Sequence, residues 1–260
     1  MRENEARPRI ALITGASSGM GREFARALAA EGKADVLWLV ARRSDRLDAL
    51  CTELSGRVTC IPMALDLTKE EDRAALTARW RTEGVTFTWC ILCAGCGYAG
   101  EFSGLTDDRI RAMTDLNCTA TTALLYAAYP HLRRGSRVVL LASAAAFVPQ
   151  PGFAVYAASK AYVLSLSRAI RQEWRAHGIR VTAVCPGPVS TEFLEKAYPG
   201  GAPDPRKARY AVRPERVVRG ALRAASRGRA VYTPTFAMKA VRVLSKIAPQ
   251  AWLMRFFTRR

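Results

Sequence analysis

Tyr156-Ala157-Ala158-Ser159-Lys160 sets a phenol and an ammonium four positions apart. On a helix that spacing is one turn, so the two groups share a face. A free tyrosine titrates near about 10 and is a poor base at neutral pH. A neighbouring cation favours the phenolate, by about 1.4 kcal/mol for each unit of lowering. Ser143 closes an apolar run thirteen positions earlier and could donate to a substrate oxygen. Tyrosine and lysine at this spacing are commonplace by themselves. Their position after Ser143, in a chain that also carries a glycine-rich turn, is the sharper signal.

That turn is Thr14-Gly15-Ala16-Ser17-Ser18-Gly19-Met20-Gly21, between a first apolar run and a first helix. Glycines let a backbone turn sharply and approach a ligand closely. The N-terminus of the helix then offers unpaired N–H groups and a partial positive charge to a phosphate. The second apolar run ends Ala41-Arg42-Arg43. A carboxylate there would bind a ribose 2′-hydroxyl and repel a 2′-phosphate. Two guanidiniums pair with a 2′-phosphate instead, so NADP(H) is expected over NAD(H). The plainer reading makes both arginines solvated residues opening the next helix.

These residues need a frame. Short apolar runs at Ile10–Ile13, Val36–Val40, Arg57–Met63, Thr88–Leu92, Arg137–Leu141 and Ile179–Val184 read as strands. Helical stretches span Gly19–Glu31, Thr106–Leu132 and Val155–His177. Apolar strands joined by helices predict a parallel sheet covered on both faces, and right-handed crossovers make it doubly wound. The fold class expected is therefore α/β, Rossmann-type. Ligands of such sheets lie beyond the C-terminal strand ends, where Gly15, Arg42, Asp66, Gly95, Ser143 and Gly187 fall. Tyr198–Pro205 reads as a glycine- and proline-rich loop of lid type. The expected organisation is one domain, 1–232, with residues 233–260 as its extension.

In the order Thr14-Gly-x-x-x-Gly-x-Gly21, Asp66-Leu67, Ala94-Gly95, Asn117, Ser143, Tyr156-x-x-x-Lys160 and Pro186-Gly187, the chain resembles the short-chain dehydrogenase/reductase family. The resemblance runs over about residues 8–232, and is nearest the branch of hydroxysteroid dehydrogenases and 3-ketoacyl reductases. It implies a catalytic tetrad of Asn117, Ser143, Tyr156 and Lys160. Tyr156 would be the general acid/base and Ser143 would hold the carbonyl oxygen. Lys160 would lower the phenol pKa and hold the nicotinamide ribose, and Asn117 would fix a water linking Lys160 to solvent. A developing alkoxide held by two donors and protonated by one of them fits that assignment. The resemblance also implies a cofactor site of Gly15, Ser17, Ser18, Gly19, Met20, Gly21, Arg42, Arg43, Asp66, Leu67, Ala94, Gly95, Tyr156, Lys160, Pro186, Gly187, Val189 and Thr191. Asp66 would face the adenine and Thr191 the nicotinamide amide. By the same resemblance the Asn117 and Tyr156 helices form a two-fold face, giving a homodimer or homotetramer. Val163, Leu164 and Leu166 exceed what the sheet-facing side of the second helix can take.

Where the family has Asn-Ala-Gly after the fourth strand, this chain has Cys93-Ala94-Gly95. A thiol is a weak hydrogen-bonding substitute, so the turn is expected to lose stability. Cys90, Cys93 and Cys96 suggest a metal, but two of the three sit on or beside a strand and no fourth ligand is evident. No metal is expected. His131 and His177 lie near helix ends and read as polar caps, so no Ser-His-Asp set can be assembled.

Over 260 residues the net charge is +18, with hydrophobic residues at 50% and charged residues at 24%. Those proportions exclude a disordered or disulfide-stapled chain. No run reaches the roughly 20 apolar residues of a spanning helix, and the first residues show no apolar signal core, so the expected compartment is the cytoplasm, with mostly free thiols. The charge is concentrated: Arg206 to Arg260 holds 15 basic residues and one acid, Glu215, for +14. Arg216, Arg219, Arg223 and Arg227 form one basic stripe, and Lys239, Arg242 and Lys246 another. The second is set against Ala240, Val243, Leu244 and Ile247, followed by Trp252, Phe256 and Phe257. This tail could lie on an anionic membrane surface, close the substrate pocket or cover a subunit interface; burial in protein is the default for an apolar helical stripe. Few interleaved aromatics and no recognised motif argue against nucleic acid. The expectation is an NADP(H)-dependent oxidoreductase interconverting a ketone and a secondary alcohol on an apolar small molecule of steroid or acyl type. The alternative is a catalytically idle NADP(H)-binding protein that recruits a partner or lipid surface through its tail.

Overall fold

The computed structural model describes residues 8–198, 209–249 and 252–254. Seven parallel strands form one sheet in the order β3-β2-β1-β4-β5-β6-β7. They are β1 (Ile10–Thr14), β2 (Val36–Ala41), β3 (Thr59–Ala64), β4 (Phe87–Leu92), β5 (Leu132–Leu141), β6 (Arg180–Val184) and β7 (Val231–Tyr232). The helices are α1 (Gly19–Ala30), α2 (Ser44–Leu54), α3 (Glu70–Thr82), α4 (Asp107–Thr114), α5 (Thr121–Ala128) and α6 (Ala154–Glu173). They continue with α7 (Glu192–Ala197), α8 (Pro214–Ser226) and α9 (Phe236–Ile247).

The period-2 alternation of each central strand builds a core on each side of the sheet. On one side Ala11, Ile13, Leu37, Leu39 and Ile91 meet Phe24 and Leu28 of α1, Leu47 and Leu50 of α2, and Val217, Val218 and Leu222 of α8. On the other Leu12, Trp38, Val40, Cys90 and Leu140 meet Trp80 of α3, Leu124 of α5 and Val163 of α6. Phe24 is fully buried, and Phe24→Ala would cost about 3–5 kcal/mol. The order reverses at β1 and β4, so the strand ends flanking that switch carry the ligand-facing turns.

Three expectations change. The helical stretch Thr106–Leu132 is not one helix: α4 passes into a wide π-type turn over Asp115–Ala120, then α5, then a tight turn Tyr129–His131. Pro130 ends the helix, and β5 starts at Leu132 rather than Arg137. Ser136 supports that early start, accepting from Arg133 N–H (2.9 Å) and donating to Phe87 C=O (2.7 Å). Second, Val163 and Leu164 are buried within the chain, so they are not surplus apolar surface; Tyr126 and Tyr162 are the large exposed side chains on α5 and α6. Third, the apolar stripe of α9 faces outward, with Phe236, Val243, Leu244 and Ile247 exposed. The helix turns a different side inward, where Met238 lies against Gly187. The predicted lid loop falls outside the described residues beyond Tyr198, as do Phe256, Phe257 and the terminal arginines. Among the described residues no helix is long and apolar enough to cross a membrane.

Candidate active site

The first turn of α1 is shaped by glycines. Gly15 and Gly19 have φ of +69° and +53°, where L side chains are strained. A Cβ on Gly21 would lie 2.2 Å from the Gly15 carbonyl oxygen, so only glycine lets the turn close on the helix. Ser17 and Met20 are buried beneath this turn, and Ser18 is the N-cap but makes no side-chain capping bond. The helix therefore keeps its first N–H groups for another acceptor, as a bound diphosphate requires. Thr191 closes the far side, its side chain 3.4 Å from where a Gly19 Cβ would stand.

Beside this turn, Thr14 Oγ1 accepts from both Cys93 N–H and Ala94 N–H, each at 3.1 Å. The Cys93 substitution thus leaves these two amides satisfied from the neighbouring strand. Cys93 and Cys90 pack in the cores on opposite sides of the sheet, and Cys96 lies in a third apolar group under α6. The thiols do not converge. Burial pushes Cys90 and Cys93 to about 12 and Cys96 to about 11, so all three stay protonated at neutral pH. All seven cysteines are free.

The predicted tetrad comes together at the ends of β4 and β5. The π-type turn aims Asn117 at the backbone after β4: its Oδ1 accepts from Cys96 N–H (3.0 Å), and its Nδ2 donates to Cys96 C=O and Ser159 Oγ (2.9 Å each). Ser159 Oγ in turn donates to Tyr156 C=O at 2.8 Å. Ser143 lies two residues past β5 in extended conformation and caps the following turn, its hydroxyl accepting from Ala145 N–H at 3.1 Å. Lys160 Nζ donates to Leu141 C=O at 2.9 Å and sits 5.8 Å from the Tyr156 ring centre. A Cβ on Gly95 would meet Asn117 Oδ1 at 2.9 Å and Lys160 Nζ at 3.0 Å. Gly97 is equally constrained, since its Cβ would meet the Tyr156 ring at 2.7 Å and Phe193 at 2.8 Å.

Burial dominates the titration of this group. It pushes Tyr156 up to about 12, with the Ser143 hydroxyl pulling the other way. It pushes Lys160 down to about 8 against the nearby thiols. The sequence predicts a lysine that lowers the phenol; in the folded chain burial is the largest influence and raises it, so Tyr156 keeps its proton at neutral pH. The Phe153 ring stacks on the Tyr156 ring at 4.3 Å between centres, and the Phe193 ring of α7 lies 5.4 Å away, so apolar rings flank the phenol.

At the other end, Arg42 is exposed and 3.8 Å from Asp66. Burial pushes the Asp66 carboxyl up, but the Thr68 N–H and hydroxyl hold it below the usual range. Leu67 beside it is buried. Arg43 reaches Ser17 Oγ (3.2 Å) and Glu192 of α7 (3.1 Å), and Arg46 and Lys196 share that carboxylate. Burial acts against the Glu192 charge, but these three donors hold its pKa near about 2. Pro186, Gly187 and Val189 form the backbone from β6 toward Thr191: Pro186 C=O accepts from Ala144 N–H at 2.8 Å, and Val189 is buried and bridges to Val212. The residues absent from the sequence reading are Glu192, Arg46, Ser159, Phe153, Phe193 and Gly97. Glu192 follows Thr191 directly, but its pairing with Arg43 spans 149 positions, which no local pattern reveals.

The sequence profile of short chain dehydrogenases matches residues 9–200. Sulfoacetaldehyde reductase of Chromohalobacter salexigens is 38% identical over 186 residues, covering 70% of this chain and 72% of that protein. A short-chain dehydrogenase from Sphingobium yanoikuyae, solved in complex with NADPH, superimposes with a TM-score of 0.81 at 32% identity, covering 94% of each chain. The bulky-bulky ketone specific alcohol dehydrogenase from Comamonas testosteroni does so with a TM-score of 0.74 at 29% identity, over 94% of this chain and 96% of that one.

Proposed function

Because the chain belongs to the short-chain dehydrogenase family of oxidoreductases, we propose that it uses NADP(H) to interconvert a ketone and a secondary alcohol on an apolar small molecule. The observation that carries this reading is Tyr156: a buried, protonated phenol beside Ser143, with Lys160 one turn away and aromatic rings around it. The uncapped N-terminus of α1 and the glycines of its turn fit a diphosphate, and Arg42 and Arg43 fit a 2′-phosphate. The NADPH of the Sphingobium enzyme agrees with that choice.

NADP(H), when bound, supplies or accepts the hydride. The chain's own residues manage the oxygen and the proton. The Ser143 hydroxyl holds the carbonyl oxygen, and Tyr156 Oη gives it a proton as negative charge develops there. Lys160 stabilises the phenolate left behind, and Asn117 holds the Cys96 backbone that fronts Lys160. The Phe153, Tyr156 and Phe193 rings exclude water and favour an apolar substituent on the carbonyl, of steroid or acyl type. The Comamonas enzyme is specific for bulky-bulky ketones, which supports the same class here.

NADPH absorbance followed with steroid, acyl and small aromatic ketones, each repeated with NADH, tests the reading. Turnover with bulky apolar ketones and a preference for NADPH are expected. No turnover across the panel, or equal use of NADH, would overturn it. The same reading has the chain act in the cytoplasm as a homodimer or homotetramer through α5 and α6. Light scattering showing only the 28.5 kDa chain at micromolar concentration would overturn that assembly.

A further inference from the structure

We propose that α9 is a docking surface for an anionic lipid bilayer, held beside the mouth of the active site. The helix divides into three faces at 100° per residue. Met238 is turned inward, its Cγ 3.2 Å from where a Gly187 Cβ would stand. Phe236, Val243, Leu244 and Ile247 are turned outward and exposed, with Phe236 at 85% and Ile247 at 75%. Lys239 and Lys246, both exposed, line one flank with Arg242. No acid follows Glu215 in the sequence, so nothing neutralises that flank from within the tail.

An outward apolar face edged by lysines is the arrangement that lies in a bilayer interface, burying the apolar side and pairing the basic side with headgroups. Charge selects this occupant over a second copy of the chain. An antiparallel pair of α9 faces about a two-fold axis would bring the Lys239–Lys246 flanks of both copies to the same side, which like charges oppose. Anionic headgroups complement the same flank. Trp252, the one exposed tryptophan among the five, extends the surface past α9. Because Met238 packs on Gly187, docking would bring the Ser143–Tyr156 end close to the lipid. On the reading of an apolar substrate, the substrate would then enter from the membrane.

The test is co-sedimentation of the full chain with vesicles of 3:1 phosphatidylcholine and phosphatidylserine, a composition of roughly the charge that attracts basic segments. Pure phosphatidylcholine vesicles serve as the second arm. Neither substrate nor cofactor is added, so failure here is distinct from failure of the reductase reading. Strong binding to the charged vesicles and weak binding to the neutral ones is expected, with loss at high salt as the Debye length shrinks to about 3 Å at 1 M. Lys239→Ala with Lys246→Ala should weaken binding by about tenfold or more, at up to about fivefold per charge. Phe236→Ser with Ile247→Ser should weaken it by a similar factor. Trp252 emission in the unmodified chain should shift to the blue and be quenched by brominated lipid. Equal binding to both vesicle types would overturn the proposal. So would unquenched Trp252, or a serine double variant that keeps its lipid binding while dissociating the protein into smaller species.

Discussion

The two ends of the candidate site are built on different physics. At the Tyr156 end, Asn117, Tyr156 and Lys160 are all buried, and their contacts are short bonds to backbone and to Ser159. At the Arg42 end, guanidiniums remain partly exposed and are matched by carboxylates, Arg42 by Asp66 and both Arg43 and Arg46 by Glu192. Buried polar groups are costly to leave unpaired, so the first end holds one geometry. Exposed ion pairs contribute little stability and are screened by salt, so the second end can exchange its partners. On the proposed reading, chemistry sits where the structure is stiff, and recognition of charge where it is adaptable.

Variants at each end should behave accordingly. Tyr156→Phe removes the proton donor and should lower turnover by at least about 100-fold. Cofactor binding measured by fluorescence should be retained, and near-normal turnover would break the contrast at its centre. The pH profile comes next. Lys160 holds its proton below about pH 8. Ketone reduction should therefore fall above that point, by up to about tenfold per pH unit. The inflection should be missing from whatever rate Lys160→Met retains. The same lowered pKa means that the unfolded chain keeps this proton to higher pH than the folded one. The Lys160 contribution to stability should therefore rise between about pH 8 and the unfolded value near 10.4.

Asn117→Ala leaves the Cys96 amide and carbonyl without their side-chain partner. It should cost about 1–3 kcal/mol for each buried group left unsatisfied, read from chemical denaturation. The matching change at the charged end, Arg42→Ala with Arg43→Ala, should leave stability within about 1 kcal/mol, as exposed pairs do. It should instead weaken NADPH by about tenfold, the loss of a charge-assisted pair, and spare NADH. Equal losses for the two cofactors in a titration would show that the arginines do not read the 2′-phosphate.

What the sequence makes legible is local. The strand ends, the glycine turn and the Tyr156–Lys160 pair depend on residues within a few positions of one another. The doubly wound sheet follows from their alternation. The Glu192 cluster depends on the start of α7 meeting Arg43 after β2 and Arg46 in α2, so its members are far apart in the chain. The support of the Cys93 turn is similarly hidden, because Thr14 belongs to the neighbouring strand. In α9 the apolar and basic stripes are readable by periodicity. Which side meets the protein is not, since Met238 and Ile247 are both apolar and only packing separates them. Desolvation is likewise invisible in a motif, which is why the direction of the Tyr156 shift reverses.

The wide turn over Asp115–Ala120 has a consequence for tolerance to insertion and deletion. A π-type turn holds an additional residue compared with the regular helix on either side. Met113 before it and Leu124 after it are both buried, so α4 and α5 are each anchored at their own phase. Deleting one residue between Asp115 and Ala120 would allow an uninterrupted α-helix that keeps both anchors. Local propensity would rise, and the helix would look improved. Asn117 or its replacement would then be rotated by about 100° from the Cys96 backbone, the angle of one α-helical residue. This segment is thus one residue longer than its apolar packing requires, and the extra length serves aim: a single-codon deletion is expected to keep the topology, to cost stability much as Asn117→Ala does by unpairing the Cys96 backbone, and to abolish the activity.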